Sequence, residues 1–299
     1  SVAAAICAVI TSDEVPVGTL WLFSDQISEF GNSQVAAARM AAAQLSMHLH
    51  AAANRADETI KQQPKVVQEV ANWQSDSLSI GSTLAKDWRV DGMIESPQAW
   101  ATGWHAWDVL PDGSLMIAIA EALDASIRGA MSATVARAAL TSHCGYRHSP
   151  SQLLQRVNDT LWQSSTCEQL ISMLYVRVDA ETGEGEFASA GSIAAMIGSR
   201  YGYRPLVDGR TKPLCSDFRT SFVSDSFRIM PGEMMLAYGP GLAACGVSQD
   251  RLGDSVRAAT QSESTSPLAS IRRTLADTPL QCERGAATLV RLGGDQVRY

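Results

Sequence analysis

The stretch "SLMIAIAEALDASIRGAMSATVARAAL" puts an acidic residue, Glu121, where an apolar strand-like run gives way to a helical pattern. A carboxylate at such a turn suits metal ligation or acid–base work, because a rigid element fixes it while the turn leaves it reachable. Asp124 follows three residues later, and "GWHAWD" upstream carries His105 and Asp108. His105, Glu121 and Asp124 together offer one imidazole and two carboxylates. That set could hold a single ion softer than magnesium, although its spacing matches no recognised metal signature. Plainer readings stand beside this one. Asp124 could N-cap a helix beginning at Ala125. His105 could be a partly buried imidazole bonded to a neighbour, and Asp108 could hold a hydrogen bond within a sheet.

Other reactive residue types carry less. His48 and His50 are two apart on a helical pattern, so they do not share a face. His143, Cys144 and His148 sit in or beside "TSHCGYRHSP", which reads as a polar loop. The six cysteines form no CxxC pair and read as free thiols of a reducing compartment, which places the protein in the cytoplasm. No GxSxG elbow is present, and the glycine-rich stretches lack the Lys-Ser/Thr of a phosphate-binding loop.

The elements that must position these residues are legible in outline. Of the 299 residues, 45% are hydrophobic and 18% charged, ordinary for a chain that buries a core. The net charge of -7, without a compact basic cluster, argues against nucleic acid or an anionic membrane as partner. No apolar run is long enough to span a bilayer, and no signal peptide leads the chain. Ser1 in place of an initiating Met reads as a processed or excised chain. "SVAAAICAVI" and "VPVGTLWLF" read as two strands. From Ser33, a plausible N-cap, to about Lys61 the pattern is helical, with Ala38, Ala42, Leu45, Leu49, Ala52 and Ala56 on one stripe, a surface suited either to dimerisation or to packing on its own domain. Pro64 ends or interrupts it. From Trp88 strands come in runs: "WRVDGMIES", "GWHAWDVL" and "SLMIAIA", then a meander from "LISMLYVRVD" to "IAAMIGS", then a hairpin of "SFRIM" and "MMLAYG" around "PGE". Helices come in pairs between them. The class expected is α+β, a sandwich rather than a doubly wound sheet.

In this order the stretches "WDVLPDGSLMIAIAEALDASIRGAMSATVARAAL", "ISMLYVRVDAETGEGEFASAGSIAAMI", "PGEMMLAYGPGLAA" and "GAATLVRL" resemble the metal-dependent protein phosphatases of type 2C (PPM), in particular their bacterial SpoIIE-like branch. The resemblance implies a PPM-type sandwich of two antiparallel sheets flanked by helices over residues 85–299. Residues 1–32, with "VPVGTLWLFSD" leading into a long helix, resemble the last strands of a GAF sensor domain. Residues 33–84 then form a linker or dimerisation helix.

In that family two magnesium or manganese ions, held by aspartates, activate a water that attacks a phosphoryl group. Carried over by motif, the first metal aspartate falls on His105, with Asp108 as the nearby second acid. The next falls on Glu121, with Asp124 in place of the turn glycine. The third falls on Pro240 of "GPG", and the last on "GAAT", where Gly285 and Ala286 replace both acids before Thr288. Two dications carry four positive charges, and of the positions matched to the metal-holding aspartates themselves only Glu121 is a carboxylate. The resemblance and its departures imply a pseudophosphatase that needs no cofactor: a regulatory module in bacterial signalling whose partner is a phosphoprotein or anti-sigma-type regulator, with a homodimer through residues 33–61. The alternative is a divergent serine/threonine phosphoprotein phosphatase using an ion at His105 and Glu121.

Overall fold

Strand runs that are apolar at nearly every position need cover on both faces, and a computed structural model shows how they obtain it. The structure describes residues 2–12, 15–25, 30–61, 64–164, 169–207, 209–261, 266–276 and 278–293, without the side chains of residues 12, 15, 17, 47–61 and 64–66. The side chains of His48 and His50, and Cys167, therefore lie outside the described residues. The chain divides into two compact units, Ser1–Val67 and Gln68–Tyr299.

In the first unit, β1 (Ala4–Ser12) and β2 (Val15–Ser24) form an antiparallel pair. The long helix α1 spans Asn32–Lys61. Its start lies at Gly31 rather than Ser33: the Gly31 carbonyl accepts from the N–H groups of Gln34 and Val35, and the Gln34 side chain accepts the Gly31 N–H in return. Ala38 and Ala42 of the alanine stripe are buried with Ala8 of β1, so this part of the stripe packs on its own unit. Helix α2 follows at Pro64–Ser77, its proline at the first helical position.

In the second unit the strands are β3 (Ser82–Ala85), β4 (Trp88–Glu95), β5 (Gly103–Val109), β6 (Leu115–Ala122), β7 (Ile171–Val178), β8 (Glu184–Ala190), β9 (Ala194–Ser199), β10 (Gly202–Leu206), β11 (Arg210–Thr211), β12 (Asp225–Arg228), β13 (Met234–Tyr238) and β14 (Arg284–Arg291). Helices α3 (Ile127–Cys144) and α4 (Pro150–Gln163) follow β6, α5 (Pro240–Ala244) follows β13, and α6 (Gln249–Gln261) and α7 (Ala269–Leu275) precede β14. One six-stranded sheet runs β10-β9-β13-β14-β4-β3, and the other runs β11-β8-β7-β6-β5 with β12 also on β8. Pairing is antiparallel except for two residues where β11 meets β8.

Strand β6 shows the layering. Leu115, Ile117 and Ile119 enter a core with Leu289 and Ala287 of β14, between the sheets. Met116, Ala118, Ala120 and Ala122 enter another with Ala133, Ala136 and Leu140 of α3 and Leu154 of α4. A third core joins Met234 and Leu236 of β13 to Leu252 of α6 and Ile271 of α7. Helix, sheet, sheet and helix thus stack as an α+β sandwich. Small residues on α3 let it lie close on its sheet, and α4 begins at a reciprocal cap between Ser149 and Gln152.

Two strand pairings differ from expectation. "SFRIM" and "MMLAYG" are not a hairpin: β12 pairs with β8, whereas β13 lies in the other sheet between β9 and β14. The meander also breaks, because β8 and β9 belong to different sheets and the chain crosses at Gly191–Ile193. There Gly191 holds a positive φ of 78°, and a Cβ on it would lie 2.4 Å from Ser172 Oγ.

Candidate functional site

At one end of the sandwich, the end of β6 faces the end of β13 and the start of β14. The β5–β6 hairpin turns through "PDG", where the Gly113 N–H donates to the Leu110 carbonyl and Gly113 adopts a positive φ of 82°. Its register sets Glu121 opposite Gly103 and Ile119 opposite His105. On the facing sheet the Gly239 N–H donates to the Gly285 carbonyl at 2.9 Å, which brings the "GPG" turn over Glu121. The fit is close: a Cβ on Gly239 would stand 2.1 Å from Glu121 Oε2, and one on Gly241 would stand 1.6 Å from the Glu283 carbonyl oxygen.

Glu283, the residue before β14, completes the site. The Thr102 N–H donates to its Oε2 at 2.6 Å, and its Oε1 lies 2.5 Å from where a Cβ on Gly103 would be. Glu121 Oε2 and Glu283 Oε1 are both buried without a hydrogen-bond partner. Burial, and then the charge of Glu283, push the Glu121 pKa up to about 8. Burial likewise raises Glu283, against hydrogen bonds from Thr102, Gly103 and Ser96 that favour its ionised form. The arrangement is a carboxyl pair in low dielectric, in which Glu121 holds a proton at neutral pH.

Sequence reasoning missed Glu283. The signal is "CERGAAT", which carries an acid two residues before the glycine matched to the family's metal aspartate.

The other expected residues do not converge on the pair. His105 points between the sheets, 2% exposed, its ring parallel to that of Trp107 at 4.9 Å and packed over Gly92 of β4. Its Nδ1 has no partner, which corrects the expectation of a bonded imidazole. Burial, followed by Arg137, lowers its pKa to about 4 against an opposing effect of Asp91. Asp108 is exposed, three residues along the strand and so on the opposite face, and accepts only the N–H of Val109. Asp124 does not cap at Ala125. The N-cap of α3 is Ser126, and Asp124 accepts both its N–H and its hydroxyl, a local turn that leaves the carboxylate aimed at Ser126. Pro240 opens α5. Ala286 is fully buried on the outer face, in the core with α6 and α7, and the strand alternation turns Gly285 toward the inter-sheet space beside Ile119. The position turned to the inter-sheet space is thus Gly285, not Ala286. A cleft of about 220 Å³ lined by Trp73, Ile94, Trp100, Gly103 and Arg137 adjoins this end; the Arg137 guanidinium is held by the hydroxyl and carbonyl of Ser77.

The two-ion centre implied by the resemblance does not fit this donor set. Two dications need compensation for four charges and hard oxygen ligands on several sides. The site supplies the carboxyls of Glu121 and Glu283, one of them protonated, while Pro240, Gly285 and Ala286 offer no side-chain donor. Among the described residues no three His, Cys, Asp or Glu are placed to hold one ion.

The family model for Stage II sporulation protein E (SpoIIE) matches residues 111–287, more than half of the chain and downstream of His105 and Asp108. No curated protein matches the chain by sequence. Among solved structures, the RsbU and RsbW domains of a Mycobacterium tuberculosis protein align with a TM-score of 0.62 at 16% identity, over 72% of this chain and 63% of that one. The chain therefore spans less than two thirds of that protein. The SiaA-PP2C domain of Pseudomonas aeruginosa aligns with a TM-score of 0.66 at 16% identity, over 78% of this chain and 98% of that one. A serine/threonine phosphatase of S. agalactiae aligns with a TM-score of 0.57 at 10% identity, over 68% of this chain and 99% of that one. The likeness is one of fold: the PP2C-type sandwich.

Proposed function

The chain belongs to the SpoIIE family, and from that premise we propose that it is a pseudophosphatase, a phosphatase-type fold kept as a regulatory or partner-binding module in bacterial signalling. One observation carries the reading. Among the described residues the facing ends of β6 and β14 bring together Glu121 and Glu283, and the Gly-Pro-Gly turn at 239–241 abuts both. A protonated carboxyl with an orphaned oxygen is a poor ligand for magnesium or manganese, which demand ionised oxygens.

The partner in this reading is a signalling protein, either a phosphoprotein or an anti-sigma-type regulator. Support comes from similar folds described with an RsbW domain and with the bacterial stressosome. The GAF-like piece and α1 would relay a signal or form a homodimer. Since Ala38 and Ala42 are spent within their own unit, the dimer surface is the other side of the helix, which carries exposed Met40. The scattered cysteines, with no CxxC pair, support a cytoplasmic setting in this reading. Among the described residues no helix is long and apolar enough to cross a membrane.

A divergent phosphatase is the second reading, and the pair of carboxyls with unpartnered oxygens is what favours it. Hydrolysis of a phosphoserine peptide in magnesium or manganese separates the two. The pseudophosphatase shows no metal-stimulated turnover above that of Glu121→Gln. Turnover that Glu121→Gln abolishes would establish the enzyme instead.

A further inference from the structure

Two cysteines meet beside the carboxyl pair. Cys245 caps the end of α5, and Cys282 directly precedes Glu283. Both are free and half-buried, and their sulfurs lie 3.0 Å apart. The segments that carry them are already pressed together. Gly241 abuts the Glu283 carbonyl, the Cys245 N–H donates to the Gly241 carbonyl at 3.0 Å, and Cys282 Sγ reaches the same carbonyl at 3.3 Å. A bond between the sulfurs therefore needs no backbone rearrangement, the usual obstacle to forming a disulfide.

The surroundings divide labour between the two thiols. Arg284 is 3% exposed, and its guanidinium is pinned by the Thr278 and Pro279 carbonyls at 2.7 and 2.6 Å. Burial opposes the Cys245 thiolate, but the hydrogen bond from Cys282 and the Arg284 cation outweigh it and lower the Cys245 pKa. Burial, followed by Cys245, pushes Cys282 up to about 11. One sulfur is thus favoured as attacking thiolate, and the other stays protonated until it is needed.

We propose that Cys245 and Cys282 form a peroxide-reactive dithiol, which hydrogen peroxide oxidises to a disulfide across the mouth of the Glu121–Glu283 pair. The Cys245 thiolate attacks one peroxide oxygen. The O–O bond breaks, hydroxide leaves, and Cys245 becomes a sulfenic acid. Cys282 then loses its proton and attacks the Cys245 sulfur. The S–O bond breaks, and the departing hydroxide takes that proton as water. Two thiols and one hydrogen peroxide give one disulfide and two waters, with two electrons passing from sulfur to oxygen. The product ties the end of α5 to the start of β14. The inference stands whichever reading of the carboxyl pair holds.

The test uses the whole reduced chain. It is treated with one equivalent of hydrogen peroxide, its remaining thiols are alkylated, and it is digested for peptide mass mapping. The expected main product is a peptide pair joined through Cys245 and Cys282, lighter by two hydrogens and released by dithiothreitol, while Cys7, Cys144 and Cys215 remain alkylated. In Cys282→Ala, dimedone should trap a sulfenic acid on Cys245, and Cys245→Ala should slow oxidation of Cys282 about tenfold. If Cys245 and Cys282 stay alkylated while other thiols oxidise, or reach sulfinic acid without cross-linking, the proposal is wrong. The wild-type arm decides this without relying on either variant to fold.

Discussion

Glu121 lies near the end of β6 and Glu283 directly precedes β14 of the opposite sheet, and burial, followed by the charge of Glu283, raises the Glu121 pKa to about 8. Each leaves one oxygen without a hydrogen bond, against a glycine that has no room for a side chain. This pair and the buried groups around it have measurable consequences.

The Glu121 carboxyl makes stability depend on pH. Its folded pKa of about 8 lies above its unbound value of 4.5, so its favourable contribution is complete below about pH 4.5 and is lost as pH rises through 8. Glu121→Gln, neutral at every pH, should match the wild type near pH 4.5 and exceed it near pH 8.5 by on the order of 2–4 kcal/mol. Urea unfolding midpoints at the two pH values check this. A constant difference between the chains would show that Glu121 is ionised throughout.

His105 titrates in the opposite sense. Its folded pKa of about 4 lies below 6.5, so its contribution is complete above about pH 6.5 and is lost as pH falls through 4. His105→Leu removes the proton site and the orphaned Nδ1. Between about pH 6.5 and 4 the wild type should lose roughly 2 kcal/mol more than this variant. Equal losses in the two chains would place the imidazole in contact with water.

The two glycines of the turn should differ in cost. At Gly239 an added methyl meets the far end of the Glu121 side chain, which can swing away. At Gly241 it meets the Glu283 backbone carbonyl, which cannot. Gly239→Ala should cost about 1 kcal/mol and Gly241→Ala about 3 kcal/mol or more, as overpacking against fixed atoms does. Thermal unfolding of the two variants ranks them, and the reverse order would contradict the geometry of the turn.

Restoring acids should restore ligation. Gly285 faces the inter-sheet space, where an added Cβ would meet only the flexible tips of Ile94 at 3.2 Å and Ile119 at 3.6 Å. The double variant Pro240→Asp, Gly285→Asp adds two carboxylates beside Glu121 and Glu283, and should bind manganese where Pro240→Asp, Ala286→Asp does not. Ala286 points into the outer core. Equal binding by both would mean that the strand register does not decide which residue serves the site.

How far the sequence discloses this depends on whether the information is local. The β5–β6 hairpin is readable because "PDG" joins two runs whose pairing is sequential. The α4 start is readable for the same reason, since cap and helix lie within four residues. The apparent hairpin around "PGE" fails because β12 and β13 are short and find their partners far along the chain, in different sheets. Adjacent residues of a strand face opposite sides, so "GAAT" alone does not tell Gly285, turned between the sheets, from Ala286, turned to the outer core. Glu283 was hidden because its role arises from where β14 begins in space, not from any spacing to Glu121.

The central claim is that the strand ends no longer hold a divalent pair, and calorimetric titration of the whole chain with manganese, with Glu121→Gln as reference, tests it most directly. The same heat of dilution is expected for both chains up to millimolar manganese. Saturable binding by the wild type that Glu121→Gln abolishes would contradict the claim and return the protein to the active phosphatases.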